Sequence, residues 1–282
     1  MFEILILGDF LLWVYKRYDM KDFINDIFKS HNITEWGVCD YSDVLPTLEC
    51  RAKARIPTQA KSVIVCLFPY YVGECEGRNL SRYAVISDYH KVAGEILACV
   101  CERLREHFNA EFEPFVDSSP ISEVKAAVLS GVGFVGKNSL LINPHYGSYV
   151  FIAEIVTNLK IQKDSPCESA CLNCGACADA CVGGAISDGD FTKCASFISQ
   201  KKGDLTDEEK SILLKSSLVW GCDRCSDACP YNKSPKKTPI TQFYENIVWS
   251  FTGQESDEFI SSRAYGWRGR KVLERNLLIL KE

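Results

Sequence analysis

The chain has 282 residues, 46% of them apolar, with a net charge of −5 at neutral pH and fifteen cysteines. This length allows one large domain or two modest ones, and the acidic balance excludes any global attraction to nucleic acid or anionic membrane. An odd cysteine number, with several thiols two or three residues apart, excludes a routine disulfide framework and points to metal binding in an intracellular chain.

At the N-terminus, the apolar run from Ile4 to Tyr15 is interrupted by Asp9. It is shorter than the roughly 20 residues that span a bilayer, and it lacks the basic lead and cleavage site of a signal peptide. Residues 1–19 are read as an extension, or a misassigned start, that contributes little to function and is not a membrane anchor. From Met20, MKDFINDIFKS sets Phe23, Ile24, Ile27 and Phe28 on one helical face. KSVIVCLF (61–68) reads as a buried strand, and Val92, Ile96, Leu97, Val100, Leu104 and Phe108 recur at helical spacing. EFEPFVD (111–117) is a short strand ending at an acid. SEVKAAVLSG (122–131) is a helix that Gly131 is placed to end, and SYVFIAEIVTNL (148–159) is another strand. Strands alternating with helices over residues 20–160 predict a mixed α/β domain. A cysteine-rich domain follows over 161–236, then a basic tail over 237–282 that Trp267 and RNLLIL fold back onto the core.

CLNCGACADAC (171–181) has the C-x2-C-x2-C-x3-C spacing with which ferredoxins hold iron–sulfur cubes. Cys171, Cys174 and Cys177 wrap one cube, and in two-cluster proteins the fourth thiolate, here Cys181, ligates the other. Cys222, Cys225 and Cys229, followed by Pro230, supply the second half. Those seven fall one short of the eight that two cubes need, and Cys194 in KCASF is the best candidate for the last. The expected sets are therefore Cys171, Cys174, Cys177 and Cys229 on one [4Fe–4S] cluster and Cys181, Cys194, Cys222 and Cys225 on the other. Val182 replaces the usual proline after Cys181, and Cys167 is a spare thiol beside the loop. A four-cysteine zinc site would leave the interleaved cysteines over. Cys39, Cys50, Cys66, Cys75, Cys99 and Cys101 read as core or surface thiols.

Clusters carry electrons, so a site that uses them is expected in the N-terminal half. GVGFVG (131–136) matches G-x-G-x-x-G, and GVGFVGKN nearly matches a P-loop, but a helix precedes both where a strand is required. DYHKVAG (88–94) lies near a cobalamin axial-histidine pattern with its glycine one position late, so capping or surface placement of His90 is the plain alternative.

RYAVISDYHKV (82–92), PFVDSSPISE (114–123), GVGFVGKNSLLINPHYGSYVFIAEIVTNL (131–159), the cysteine run, KCASF and WGCDRCSDACPYNK (220–233) occur in this order and spacing in the epoxyqueuosine reductases. The chain resembles that family over about residues 20–235, and VDSSP with GKNSLL makes the match specific. The resemblance implies an α+β architecture: a nitroreductase-like α/β domain that binds cobalamin, then a ferredoxin-like domain with two [4Fe–4S] clusters that reduce its cobalt. It implies reduction of epoxyqueuosine in tRNA to queuosine, in a distant mechanistic relative of the reductive dehalogenases. An epoxide oxygen leaving as an alkoxide needs a positioned acid, and Asp117 falls on the family's acidic position. For it to donate near neutral pH, burial beside the corrin would have to raise its pKa; taken alone, an Asp before Ser-Ser-Pro caps a turn. The resemblance further implies that Tyr83, Asp88, Tyr89 and His90 face substrate or corrin, and that Lys137, Asn138 and Ser148 contact corrin amides. Gly131, Gly133 and Gly136 would then allow close approach to a flat ligand. A cytoplasmic monomer fed by a flavodoxin or ferredoxin is expected.

Two departures bear on substrate. Val124 stands where the family carries an arginine, and the C-terminal helical repeats of longer members do not follow. The tail nevertheless carries Arg263, Arg268, Arg270, Lys271, Arg275 and Lys281, which with Lys233, Lys236 and Lys237 form either a phosphate-binding face or a solvated one. A related reductase with a non-tRNA substrate, or a corrin-free electron carrier, are the alternative readings.

Overall fold

The computed structural model describes residues 20–281, so the expected N-terminal extension lies outside the described residues. In the N-terminal half, α1 (Met20–Ser30), β1 (Trp36–Asp40), β2 (Ser62–Pro69), α2 (Tyr89–His107), β3 (Phe112–Val116), α3 (Glu123–Leu129), a β4–β5 hairpin (Phe134–Val135 and Leu141–Ile142) and β6 (Val150–Thr157) follow in order. The cysteine-rich part contributes α4 (Ala176–Asp179), α5 (Ala185–Asp188), α6 (Ala195–Ser199), α7 (Asp207–Ser216) and α8 (Arg224–Asp227). The tail adds α9 (Asp257–Ser261) and α10 (Arg270–Ile279). Among the described residues no helix is long and apolar enough to cross a membrane.

The sheet runs β1-β2-β6-β3 with every neighbouring pair antiparallel. Its two faces are covered separately, as the alternation of side chains along a strand requires. Ile64, Cys66 and Phe68 of β2 and Ala153 and Ile155 of β6 pack with α1 and α2. Val63, Val65 and Leu67 of β2 and Val156 of β6 pack with α3. Glu154, between Ala153 and Ile155, points to the α3 face and is fully buried. The α2 helix begins where the Asp88 carboxylate accepts a hydrogen bond from the His90 backbone N–H at 3.0 Å. α7 opens with a reciprocal Thr206–Glu209 capping box.

The glycines of 131–136 serve the chain's own packing. A Cβ at Gly131 would strike the Ser165 carbonyl, one at Gly133 the Ile142 carbonyl, and one at Gly136 the Asn138 side chain. The expected close approach to a flat ligand is therefore met by close approach within the chain: across the hairpin at Gly133, to the Ser165 carbonyl at Gly131 and to side chains at Gly136.

The tail is built into the core. Phe243, Phe251 and Tyr265 are buried in the same cluster as the α1–α2 face. The Asn276 amide donates to the Ser199 and Val219 carbonyls at 2.7 and 2.8 Å, tying α10 to the cysteine-rich part. Three cations of the expected basic face are consumed here. Arg263 is buried and donates to the Val85 and Asn246 carbonyls; Arg270 pairs with Asp257 and Glu274; Arg275 donates to the Lys201 carbonyl. A helix that must pack on both halves turns its arginines inward to satisfy loop carbonyls.

The two halves are joined by a buried ionic lock. Arg78 Nη1 lies 2.7 Å from Asp223, and Arg82 Nε lies 2.9 Å from Asp227. The Arg82 backbone N–H also donates to Asp223, and the Tyr149 hydroxyl donates to Asp227 at 2.5 Å. Burial alone would lower the Arg82 pKa, but its bonds to Asp227 and Glu74 hold it raised. Arg78→Met leaves Asp223 buried without its countercharge and lowers the unfolding free energy by about 3–5 kcal/mol. In urea unfolding, Arg78→Met with Asp223→Leu recovers part of that loss, because no lone charge remains. A single variant as stable as the parent would show that the pair contributes nothing.

Candidate active site

A cavity of about 1020 Å³ opens between the end of the sheet and the tail. Tyr70, Tyr83, Tyr89 and Phe151 make an aromatic wall, Asp88, His90, Asp117 and Ser148 provide polar groups, and Trp267 stands at the rim. Each position follows from its element. Phe151 is near the start of β6 and stacks on Tyr89 of α2, centroids 3.8 Å apart. Tyr89 stacks in turn on His90 at 4.0 Å. Tyr83 meets Phe151 edge-on and accepts a hydrogen bond from the Trp220 indole at 2.7 Å. Ser148 is pinned twice by Asn232, through its backbone N–H at 3.0 Å and its hydroxyl at 2.8 Å.

His90 lies between two carboxylates. Its Nδ1 is 2.8 Å from Asp88 and its Nε2 is 3.1 Å from Asp117. The bond to Asp117, then that to Asp88, raises the His90 pKa to about 9, so at neutral pH the ring is an imidazolium. The bond from His90 in turn holds the Asp117 carboxyl below its ordinary value. This corrects the expectation that burial raises it: the proton resides on His90, and Asp117 is the carboxylate through which it faces the cavity. Asp117 follows β3 with a left-handed backbone, φ 61°. His90 is accounted for by these two bonds rather than by an axial position.

A smaller recess of about 200 Å³ adjoins the cavity, lined in part by Asp117, Glu123, Val124, Ser139 and Leu140. Burial, then the charge of Asp117, raises the Glu123 pKa to about 8. Behind it, burial pushes Glu154 well above the usual carboxylate range. Sequence reasoning passed over both residues. The available signal was an acid in the middle of the apolar strand VFIAEIVT, since a charged residue there is buried whichever face it takes.

The structure brings Cys171, Cys174, Cys177 and Cys229 around one small cavity, which Lys137, Asn138 and Tyr231 also line. Burial raises the Cys222 and Cys225 thiols, and Cys194, close to both, adds to that, as Cys181 does at Cys225. Cys167 packs beside Cys171, Cys229 and Tyr231. Lys137 and Asn138 are thus among the cysteines, not on the wall of the large cavity, because the hairpin turn directs them that way while Ser139 and Leu140 face the recess. The donor set fits iron–sulfur clusters. Asn138 is buried with its amide directed at the Cys225 thiol and makes no other hydrogen bond through Nδ2, which suits a donor to ligand or cluster sulfur. No three His, Cys, Asp or Glu among the described residues close around a single-ion position; a cube spreads its thiolates farther apart than one ion does.

Two family models match the chain, one described as epoxyqueuosine reductase QueG, DUF1730, over residues 51–118, and one as a 4Fe-4S double cluster binding domain over 170–232. The epoxyqueuosine reductase of Leadbetterella byssophila is 35% identical over 239 residues, covering 79% of this chain and 78% of that protein. That of Cyclobacterium marinum is 37% identical, covering 79% and 76%, whereas the chain spans 53% of the Bacillus subtilis enzyme, at 32% identity over 68% of its own length. A crystal structure of epoxyqueuosine reductase with an epoxyqueuosine-modified tRNA-Tyr stem loop superposes at a TM-score of 0.78 with 26% identity, covering 95% of this chain and 81% of that one. The catabolic reductive dehalogenase NpRdhA shares the fold alone, at a TM-score of 0.50 and 15% identity over 91% of this chain and 37% of that one. With the cysteines gathered as a double-cluster domain against an aromatic cavity, the chain belongs to the epoxyqueuosine reductase family and is an iron–sulfur oxidoreductase.

Proposed function

We propose that this protein reduces epoxyqueuosine in tRNA to queuosine, with cobalamin in the large cavity and two [4Fe–4S] clusters on the sets Cys171, Cys174, Cys177, Cys229 and Cys181, Cys194, Cys222, Cys225. The single observation that carries the reading is the His90–Asp117 pair facing an aromatic-walled cavity. At about 1020 Å³ that cavity is at the upper end of small-molecule sites, with room for a flat macrocycle and a nucleoside. Tyr89, Phe151 and Tyr83 supply its apolar surface, and Ser148 is a polar handle. Bound there, the corrin supplies a reducing cobalt centre that the clusters recharge.

The chain's own part is proton delivery and orientation. An epoxide oxygen breaking away from carbon develops charge that a positioned acid must neutralise. Asp117 presents the proton held by His90, and Asp88 keeps the imidazole ring oriented and charged. Tyr89, stacked on His90, keeps the ring from turning. Trp267, 62% exposed at the rim with the Arg268 guanidinium 3.7 Å from its ring centroid, is a stacking platform for a nucleic-acid base. An electron donor such as a flavodoxin or ferredoxin docks at the exposed loop carrying Leu172 and Cys174. In this reading the working unit is a monomer acting in the cytoplasm, where tRNA is modified.

A second reading is favoured by Val124, which makes a wall of the recess apolar where the family resemblance expects an arginine: the same chemistry on a substrate other than tRNA. Restoration of queuosine in a reductase-deficient strain separates the two, and failure there with retained corrin supports the second. Asp117→Asn should reduce turnover by roughly 10²–10⁴-fold with clusters and corrin retained; undiminished turnover would remove Asp117 from the mechanism. By NMR the His90 ring should titrate near 9, and kcat/KM should fall as pH rises through that value, since the deprotonated ring has no proton to give. Asp117→Asn should move the titration downward, because a carboxylate partner is lost. Cys225→Ala should remove one cluster, about half the iron; full iron content would refute the ligand sets.

A further inference from the structure

Removing an epoxide oxygen as water consumes two electrons and two protons, and the His90–Asp117 pair holds only one mobile proton. We propose that Glu123, backed by Glu154, stores the second proton and passes it to Asp117. This inference rests on the epoxide-reducing reading above. Glu123 opens α3 on the wall of the recess that Asp117 also lines, and the Asp117 backbone N–H is directed at its carboxyl. Its Oε1 has no hydrogen-bond partner. Glu154 lies beneath α3 in the middle of β6, fully buried, and neither of its oxygens is paired with normal geometry. The nearby Ser119 hydroxyl offsets little of that burial.

Buried carboxyls without a cation stay neutral, because the charged form cannot be solvated. The titratable groups around them reinforce this. Asp117 acts on Glu123, and Glu123 acts on Glu154; Tyr89 from α2, Cys39 from β1 and Cys66 from β2 supply no positive charge. Among the described residues, the His90 imidazolium is the one cation acting on Glu123, and it is committed to Asp88 and Asp117. The proton balance then closes. The two electrons come from the clusters. One proton leaves His90 through Asp117 to the developing alkoxide, and the second leaves the Glu123 carboxyl for Asp117 and then the departing oxygen, releasing water and the alkene. Glu123 recovers a proton from Glu154 or from solvent entering the recess. Neither glutamate need touch substrate; both act through Asp117 and are positioning residues.

The test combines an infrared pH titration of the cluster-loaded protein with turnover. The parent should show two carboxylic-acid carbonyl bands at pH 7. One is lost as pH rises through about 8 and is absent from Glu123→Gln; the other persists to higher pH and is absent from Glu154→Gln. Glu123→Gln should lower kcat about 10–100-fold with KM unchanged, and Glu123→Asp should restore part of it. Should Glu154→Gln not fold, Glu123→Gln carries the test alone. Absence of the bands at pH 7 overturns the store, and bands present with undiminished Glu123→Gln turnover overturn the delivery. A parent that retains the bands but cannot reduce epoxyqueuosine overturns the underlying reading instead, since the infrared signal needs neither corrin nor substrate.

Discussion

Four side chains decide how the two halves meet. Arg78 and Arg82, in the segment between β2 and α2, pair with the buried Asp223 and the exposed Asp227, the two acids interleaved with Cys222, Cys225 and Cys229. A buried ion pair is a weak source of stability but a strong source of specificity here, because a shift of one residue along CDRCSDAC would leave an aspartate and an arginine buried alone. The cysteine loops are thereby fixed in register against the sheet. Asn232, three residues beyond Cys229, then reaches across to Ser148, so the wall of the large cavity is indexed to the position of a cluster ligand.

Electrostatics within the N-terminal half run in the opposite sense. The cluster side is locked by paired charges, whereas the cavity side gathers carboxyls in excess of cations. Asp88 and Asp117 share one imidazolium, and Glu123 and Glu154 are left to burial. An uncompensated group is expensive in a core, and its persistence at a cavity wall is the pattern expected of a site that must hold protons at neutral pH.

Much of this was legible in the sequence. The cysteine spacing depends on local loop geometry, so Cys171, Cys174, Cys177 and the CDRCSDAC run could be read without knowing the fold. Strands and helices with strong periodicity, such as β2 and α2, could be read for the same reason. What was hidden depended on direction rather than identity. The GVGFVGKN segment has the composition of a ligand loop, yet only the hairpin pairing of Phe134 with Ile142 decides that Gly133 faces backbone and that Lys137 and Asn138 face cysteines. The arginines of the tail look like a basic face until Arg263 and Arg275 are seen bonded to loop carbonyls. The charge state of Asp117 was misjudged because burial was weighed without its partner: proximity to His90 across 27 residues outweighs desolvation.

The β4–β5 hairpin has an evolutionary consequence. One short turn, residues 136–140, lines the cysteine cavity with Lys137 and Asn138 and the recess with Ser139 and Leu140. Residues 137–140 are therefore a shared partition between the cysteine cavity and the recess. Lengthening the turn or recontouring one side of it would disturb the other. Substrate preference can therefore drift through the outer rim and the tail far more freely than through this partition, which ties two functions to a single stretch of backbone.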